Sequence, residues 1–275
     1  MPFFNNDGLN FHYRDIGEGV PFFFQHGLGG DVNQPTGLFK PRTGFRLLSF
    51  DCRGHGETRP LGNVEKIRIA VFADDLAALM DSLSISRAVI GGISMGAAVA
   101  LNFTLRYSKR VLGLILSRPA WLIGPMLRNA EIYLHIAQLI RQHGQERGLE
   151  LFKQSEYYIE TLRQSPAAAN SLIGQFETLR ASETVARLEG ISSDAPVYDL
   201  RELAAIAVPT LVLANRRDPI HPFDYGEVLA REIPKAEFKE LTSKSVSQER
   251  HEAEIQKFIE SFLCGHFCRA RSATC

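Results

Sequence analysis

Short apolar runs that close on turn residues alternate along the chain with longer stretches whose apolar positions recur three and four apart. The runs at 21–25, 45–50, 88–93, 113–117, 210–214 and 236–241 have the length and composition of buried strands, and 11–15 has that of one arm of an opening hairpin. Between them, 69–83 sets Val71, Phe72, Leu76, Leu79, Met80 and Leu83 on one helical face, and 97–107 and 255–263 repeat that spacing. Strand and helix in alternation predict an α/β fold with a mostly parallel central sheet flanked by helices. The alternation stops after Trp121 and resumes near Asp199. The interval holds no convincing strand. Its amphipathic stretches at 126–142, 146–162 and 169–180, with Pro166 and Pro196 as breakers, predict a helical cap spanning 122–196, inserted into a core made of 1–121 and 197–275.

Composition narrows the function classes. A chain of 275 residues, 45% apolar and 23% charged, is large enough for one core with an inserted lobe. Lys plus Arg and Asp plus Glu number 31 each, so no overall field favours nucleic acid or an anionic membrane, and a small neutral or weakly charged substrate is expected. The N-terminus has neither the basic start nor the apolar stretch of a signal peptide, and no later run has bilayer length, so a cytoplasmic monomer or homodimer is expected. Cys264, Cys268, Cys275 and His266 match no zinc spacing; no metal and no cofactor are expected, and the tail from Gly265 is read as frayed.

Residues 88–98 run from an apolar strand through Gly92-Ile93-Ser94-Met95-Gly96 into a helix. A serine at so tight a turn presents its hydroxyl, glycines on either side remove side chains where the backbone doubles back, and the helix N-terminus favours developing negative charge. A glycine turn with Ser94 as helix cap is the bland alternative. Gln25-His26-Gly27-Leu28-Gly29-Gly30, directly after an earlier strand, can present a backbone N–H to an oxyanion together with that of Met95. The segment 50–58, with Asp51, Arg53 and His55, follows the next strand and is read as structural.

These three motifs, at the ends of successive predicted strands, resemble the α/β-hydrolase family, especially its capped esterase-like and lipase-like members. The resemblance spans about residues 11–263. It implies a serine, acid, histidine order along the chain. Asp218, in the turn after 210–214, matches the family's acid, with Asp224 as fallback; His251, after 236–241 and at the start of the terminal helix, matches its histidine. Chemistry asks for the same set, because a serine hydroxyl needs a base to take its proton and a carboxylate to orient that base. Two departures stand out: Ala97 replaces a common glycine, and the segment 242–250 before His251 is long, polar and without the usual small residue ahead of the histidine.

The resemblance therefore implies a serine hydrolase acting on a small to medium ester or lactone through an acyl-enzyme on Ser94, with His251 as base, Asp218 as orienting acid and Leu28 and Met95 N–H groups as oxyanion hole. Carbon–carbon bond hydrolysis, perhydrolysis and lyase chemistry fit the same triad, and a slow-turnover ligand receptor is the reading from another class. Asp218 is expected within hydrogen-bond reach of His251. Trp121, where the chain leaves the core, is expected either as an aromatic wall for the substrate or as a hinge anchor, and the pocket is expected to be mostly apolar.

Overall fold

The structure is a computed structural model that describes residues 2–125, 130–177 and 180–268. Its strands are β1 (Phe3–Asn6), β2 (Leu9–Gly17), β3 (Gly19–Gln25), β4 (Gly44–Phe50), β5 (Ala88–Ile93), β6 (Val111–Ser117), β7 (Thr210–Ala214) and β8 (Ala236–Glu240). They form one sheet in the order β1-β2-β4-β3-β5-β6-β7-β8, antiparallel at its first two pairings and parallel from β4 to β8. The helices are α1 (Asn33–Leu38), α2 (Ile69–Ser82), α3 (Met95–Arg106), α4 (Ala130–Lys153), α5 (Glu156–Gln164), α6 (Pro166–Ile173), α7 (Ala181–Ser192), α8 (Phe223–Glu232) and α9 (Gln248–Phe267).

Successive strand residues point to opposite faces, so a strand buried on both sides feeds two cores. In β3, Phe22 and Phe24 enter the layer that also holds Ile255 and Ile259 of α9, whereas Phe23 enters the larger layer with Phe72 of α2 and Phe103 of α3. The strands at 88–93 and 210–214 have the bounds the sequence predicts. β1 and α8 were not anticipated: β1 is only four residues long, and α8 has just Gly226 and Leu229 fully buried, too little to declare a periodic face. The tail does not fray at Gly265. α9 continues to Phe267, whose ring lies so close to Gly113 that a Cβ there would meet it at 2.7 Å.

Between β6 and β7 the described residues contain α4 to α7 and no strand. α4 breaks at Gly144 (φ 74°) and packs along α7. The helices expected at 146–162 and 169–180 are cut differently: Ser155 caps α5, and Ser165 caps α6 with Pro166 in its first turn, where proline's missing N–H costs nothing. Residues 126–129 and 178–179 of the expected helices lie outside the described residues. Among the described residues, no helix is long and apolar enough to cross a membrane, and no cluster of His, Cys, Asp and Glu is arranged to hold a metal.

Candidate active site

Ser94 lies between β5 and α3 with φ 56° and ψ −112°, a backbone conformation that a residue with a side chain adopts only under strain. Its own N–H donates to the Ser117 carbonyl at 2.9 Å, and its carbonyl accepts from Ala97 at 2.9 Å and Ala98 at 3.1 Å. The flanking glycines are obligatory on steric grounds. A Cβ on Gly92 would lie 2.1 Å from the Gly96 carbonyl carbon, and one on Gly96 would lie 2.3 Å from the Gln25 carbonyl oxygen. Met95 opens α3, where the first N–H groups have no partner within the helix. Across from it, Gln34 Oε1 fixes the Gly27 N–H at 2.7 Å, and the Gly30 N–H donates to the Gly27 carbonyl at 2.9 Å, which shapes the loop carrying Leu28.

Ser94 opens into a cavity of about 80 Å³. Leu28 contributes to its wall, Arg118 comes from the loop after β6, Arg217, Asp218 and His221 from the loop after β7, and Ser243 and Lys244 from the loop after β8. The helices between β6 and β7 close it with Tyr133, Ser165, Ala168 and Ser171. Its lining is mostly polar, which corrects the expectation of an apolar pocket.

Asp218 does not meet His251. Its Oδ2 accepts from Arg118 Nη2 at 2.8 Å and Nε at 3.1 Å and lies 3.0 Å from His221 Nδ1, while its Oδ1 accepts from the backbone of Ile220 and His221, each at 3.2 Å. Burial alone would push its carboxyl up; the charges and hydrogen bonds of His221 and Arg118 outweigh burial and hold it well below the usual carboxylate range. Burial also keeps His221 below its ordinary value, so near pH 7 it is neutral and Arg118 is the standing cation beside Asp218. Arg118 Nη2 is also 3.0 Å from His221 Nδ1. The two contacts at Nδ1 ask for opposite tautomers, a protonated Nδ1 to donate to Asp218 and a bare one to accept from Arg118; with the proton on Nδ1, Nε2 is left with the lone pair.

His251 is fully buried. Ser247 caps α9 and starts the helix ahead of His251, placing the histidine inside its first turn rather than at its opening. There Nδ1 donates to the Thr242 carbonyl at 2.7 Å, and Nε2 has no hydrogen-bond partner among the described residues. Burial, reinforced by Arg118 and Lys244, pushes its pKa down to about 4. His251 is not among the residues lining the Ser94 cavity; Ser243 and Lys244 reach it from the same loop instead.

Trp121 sits apart from the cavity. It is buried and does not line the Ser94 cavity, and its Nε1 donates to the Asp194 carbonyl at 2.9 Å, tying the departure of the helical segment to its return. Asp224, the fallback acid, lies in the first turn of α8. In the 50–58 loop, Asp51 and Arg53 tie neighbouring elements together. Asp51 accepts from Val32 N at 2.7 Å, His12 Nδ1 at 2.7 Å and Glu57 N at 2.8 Å, and Arg53 forms a two-point pair with Asp75 at 2.7 Å. Sequence reasoning passed over Arg118 and Lys244 and set His221 aside as a histidine of a motif turn. The spacing of Asp218 and His221, three apart in one turn, was the only local signal for any of them.

The family model for the alpha/beta hydrolase fold matches residues 20–249. The chain belongs to the α/β-hydrolase family. It is 31% identical over 232 residues to the AB hydrolase superfamily protein YisY of Bacillus subtilis (strain 168), covering 82% of this chain and 84% of that protein. The crystal structure of the enol-lactonase from Burkholderia xenovorans LB400 superposes with a TM-score of 0.73 at 26% identity, covering 95% of this chain and 99% of the other. A thermophilic esterase from Thermogutta terrifontis gives a TM-score of 0.72, also at 26% identity, over 94% and 97% of the two chains.

Proposed function

We propose that the protein hydrolyses an ester or lactone through an acyl-enzyme on Ser94, with the Asp218–His221 pair as orienting acid and base and the N–H groups of Leu28 and Met95 as the oxyanion hole. One observation carries this reading: the strained, half-buried serine of the elbow opens into the same small cavity as a carboxylate-paired imidazole. In this reading His221 Nε2 takes the Ser94 proton as Oγ attacks the carbonyl carbon. The proton passes to the leaving alcohol oxygen, and a water activated by the same nitrogen cleaves the acyl-enzyme. In this reading the proton on Nδ1 is donated to Asp218, and Arg118 Nη2 gives its hydrogen to Asp218 rather than to the ring. The similarity to an enol-lactonase and an esterase favours ester or lactone cleavage over the other chemistries that this fold carries. The helical segment between β6 and β7, which supplies Tyr133, Ser165 and Ser171 to the cavity, is the part of the chain proposed to select the substrate.

A second reading keeps His251 as base, and its unpartnered Nε2 favours it. With Nδ1–H engaged by the Thr242 carbonyl, that nitrogen has the tautomer a base requires, a backbone oxygen standing where a carboxylate usually orients the ring. Kinetics of three variants separate the readings. Ser94→Ala is expected to lower ester turnover at least about a thousandfold and to abolish labelling by a fluorophosphonate. His221→Asn is expected to fall nearly as far, and His251→Asn much less. Unchanged turnover in Ser94→Ala sinks the mechanism; the reverse order of the two histidine variants returns the base to His251.

A further inference from the structure

The chain as a whole is neutral, but the Ser94 cavity is not. Its wall carries Arg118, Arg217 and Lys244 against the single carboxylate of Asp218. Arg118 is already engaged, with two nitrogens on Asp218 Oδ2. The other two cations are not: among the described residues neither Arg217 nor Lys244 has an ion pair or a side-chain hydrogen bond, in a protein whose surface arginines are extensively paired. Lys244 is half-buried, and burial together with the Arg118 charge presses its ammonium down to about 8, while the fields of Glu252 and Asp218 only partly compensate. For Lys244, a desolvated cation without a partner is unfavourable unless an anion completes its surroundings, whereas Arg217 is exposed and stays solvated until a ligand reaches it.

We propose that Arg217 and Lys244 form a recognition site for a carboxylate carried by the substrate, so that the preferred ester or lactone is a short anionic one. The inference rests on the proposed hydrolysis at Ser94 and adds the substrate class. Both cations line the cavity that Ser94 opens into, so one small molecule can present its carbonyl to the serine and its carboxylate to them. The planar guanidinium of Arg217 suits two-point binding of a carboxylate, and Lys244 adds a compact charge. The cavity is small, about 80 Å³, which favours a short chain. The neutral or weakly charged substrate expected from net charge is replaced here by a local argument. The overall balance of 31 cations and 31 anions says nothing about how they are distributed at one site.

The test compares mono-4-nitrophenyl glutarate, with a free carboxylate, against its methyl-capped diester, following 4-nitrophenol release. The wild type is expected to favour the anionic ester by about tenfold or more in kcat/KM, chiefly through KM, as a charge-assisted contact of this kind implies. Lys244→Met and Arg217→Gln are each expected to cut that ratio several-fold, and Lys244→Arg to retain most of it. An equal or reversed preference in the wild type, or a preference that both neutralising variants leave intact, overturns the proposal. Should neither ester turn over, calorimetric titration of glutarate into the same proteins still decides. Binding that weakens about tenfold in Lys244→Met upholds carboxylate recognition while the hydrolytic reading falls, and absence of binding in the wild type overturns both.

Discussion

Arg118 stands between a carboxylate and an imidazole, with one guanidinium nitrogen 2.8 Å from Asp218 Oδ2 and 3.0 Å from His221 Nδ1. The two neighbours of His221 act in opposite directions. Burial lowers its pKa most, Asp218 raises it, and Arg118 lowers it again. A base works in its neutral form, so activity rises with pH through the pKa of that group and levels off above it. Removing the cation in Arg118→Met takes away one lowering influence, and the acid limb of the pH–kcat/KM profile is expected to move to higher pH. Asp218→Asn removes the raising influence and is expected to move the limb to lower pH, together with a large loss of rate as the imidazole tautomer is no longer fixed. Profiles measured from pH 4 to 9 on both variants check the signs. Movement of both limbs in one direction, or of neither, would remove Asp218 and Arg118 from control of the base. The same geometry explains why Arg118 is not interchangeable with lysine, whose single nitrogen does not reach Asp218 at two points.

The turn from β5 to α3 is the element on which the site depends, and its tolerance for change is set by backbone-to-backbone distances. On Gly92, an added Cβ meets the Gly96 carbonyl carbon at 2.1 Å and its oxygen at 2.2 Å, with no side-chain rotation to relieve the clash. Gly92→Ala is expected to destabilise the fold by about 3 kcal/mol or more and to displace Ser94. Gly37→Ala in α1, where nothing lies within 4 Å, is expected to be neutral or slightly stabilising, by up to about 1 kcal/mol. Denaturant melts of the two variants give the comparison, and near-equal midpoints would refute the packing argument. This element was legible in the sequence because its chemistry is compressed into five consecutive residues whose types the local backbone dictates. The parallel strands were legible for a similar reason: burial on both faces leaves apolar runs such as Phe22-Phe23-Phe24. The rest of the site was not, because Arg118, His221 and Lys244 converge from three loops whose paths no periodicity encodes. His251 shows how small the deciding feature is. Ser247 starts α9 at Gln248, ahead of the expected start, so His251, expected to open the helix, lies inside its first turn and is buried.

At the scale of the whole molecule, titration of buried histidines sets a limit on stability that the formal charge does not reveal. With 31 basic and 31 acidic residues, the folded chain has little net self-repulsion near neutral pH, and modest acidification changes stability chiefly through groups whose pKa differs between folded and unfolded states. His26, His55, His221 and His251 are all buried, and all have folded values below the ordinary 6.5, with desolvation the largest cause in each. Between the folded value and 6.5 the unfolded chain binds more protons than the native one. The stability of each site is therefore complete above pH 6.5 and is lost as pH falls, for His251 down to about 4. Each such group contributes up to about 1.4 kcal/mol per pH unit across its window. Asp75, buried and raised by desolvation, works the other way, gaining protons in the native state over the lower part of that range. Asp218 joins the histidines only below its unfolded value of 3.8, where protonation of the unfolded chain draws away the stability of its bridge to Arg118. Four histidines against two such carboxylates, Asp75 and Glu183, set the net sign: the melting temperature is expected to fall from pH 7 to pH 4.5, with most of the loss below 6.5. Thermal melts at constant ionic strength measure it directly, and His55→Gln, which removes one buried imidazole with an unpartnered Nε2, is expected to flatten the slope. A melting temperature that holds level or rises over that interval would show that these imidazoles are protonated in the folded protein, and with it would fall the assignment of a neutral His221 as base.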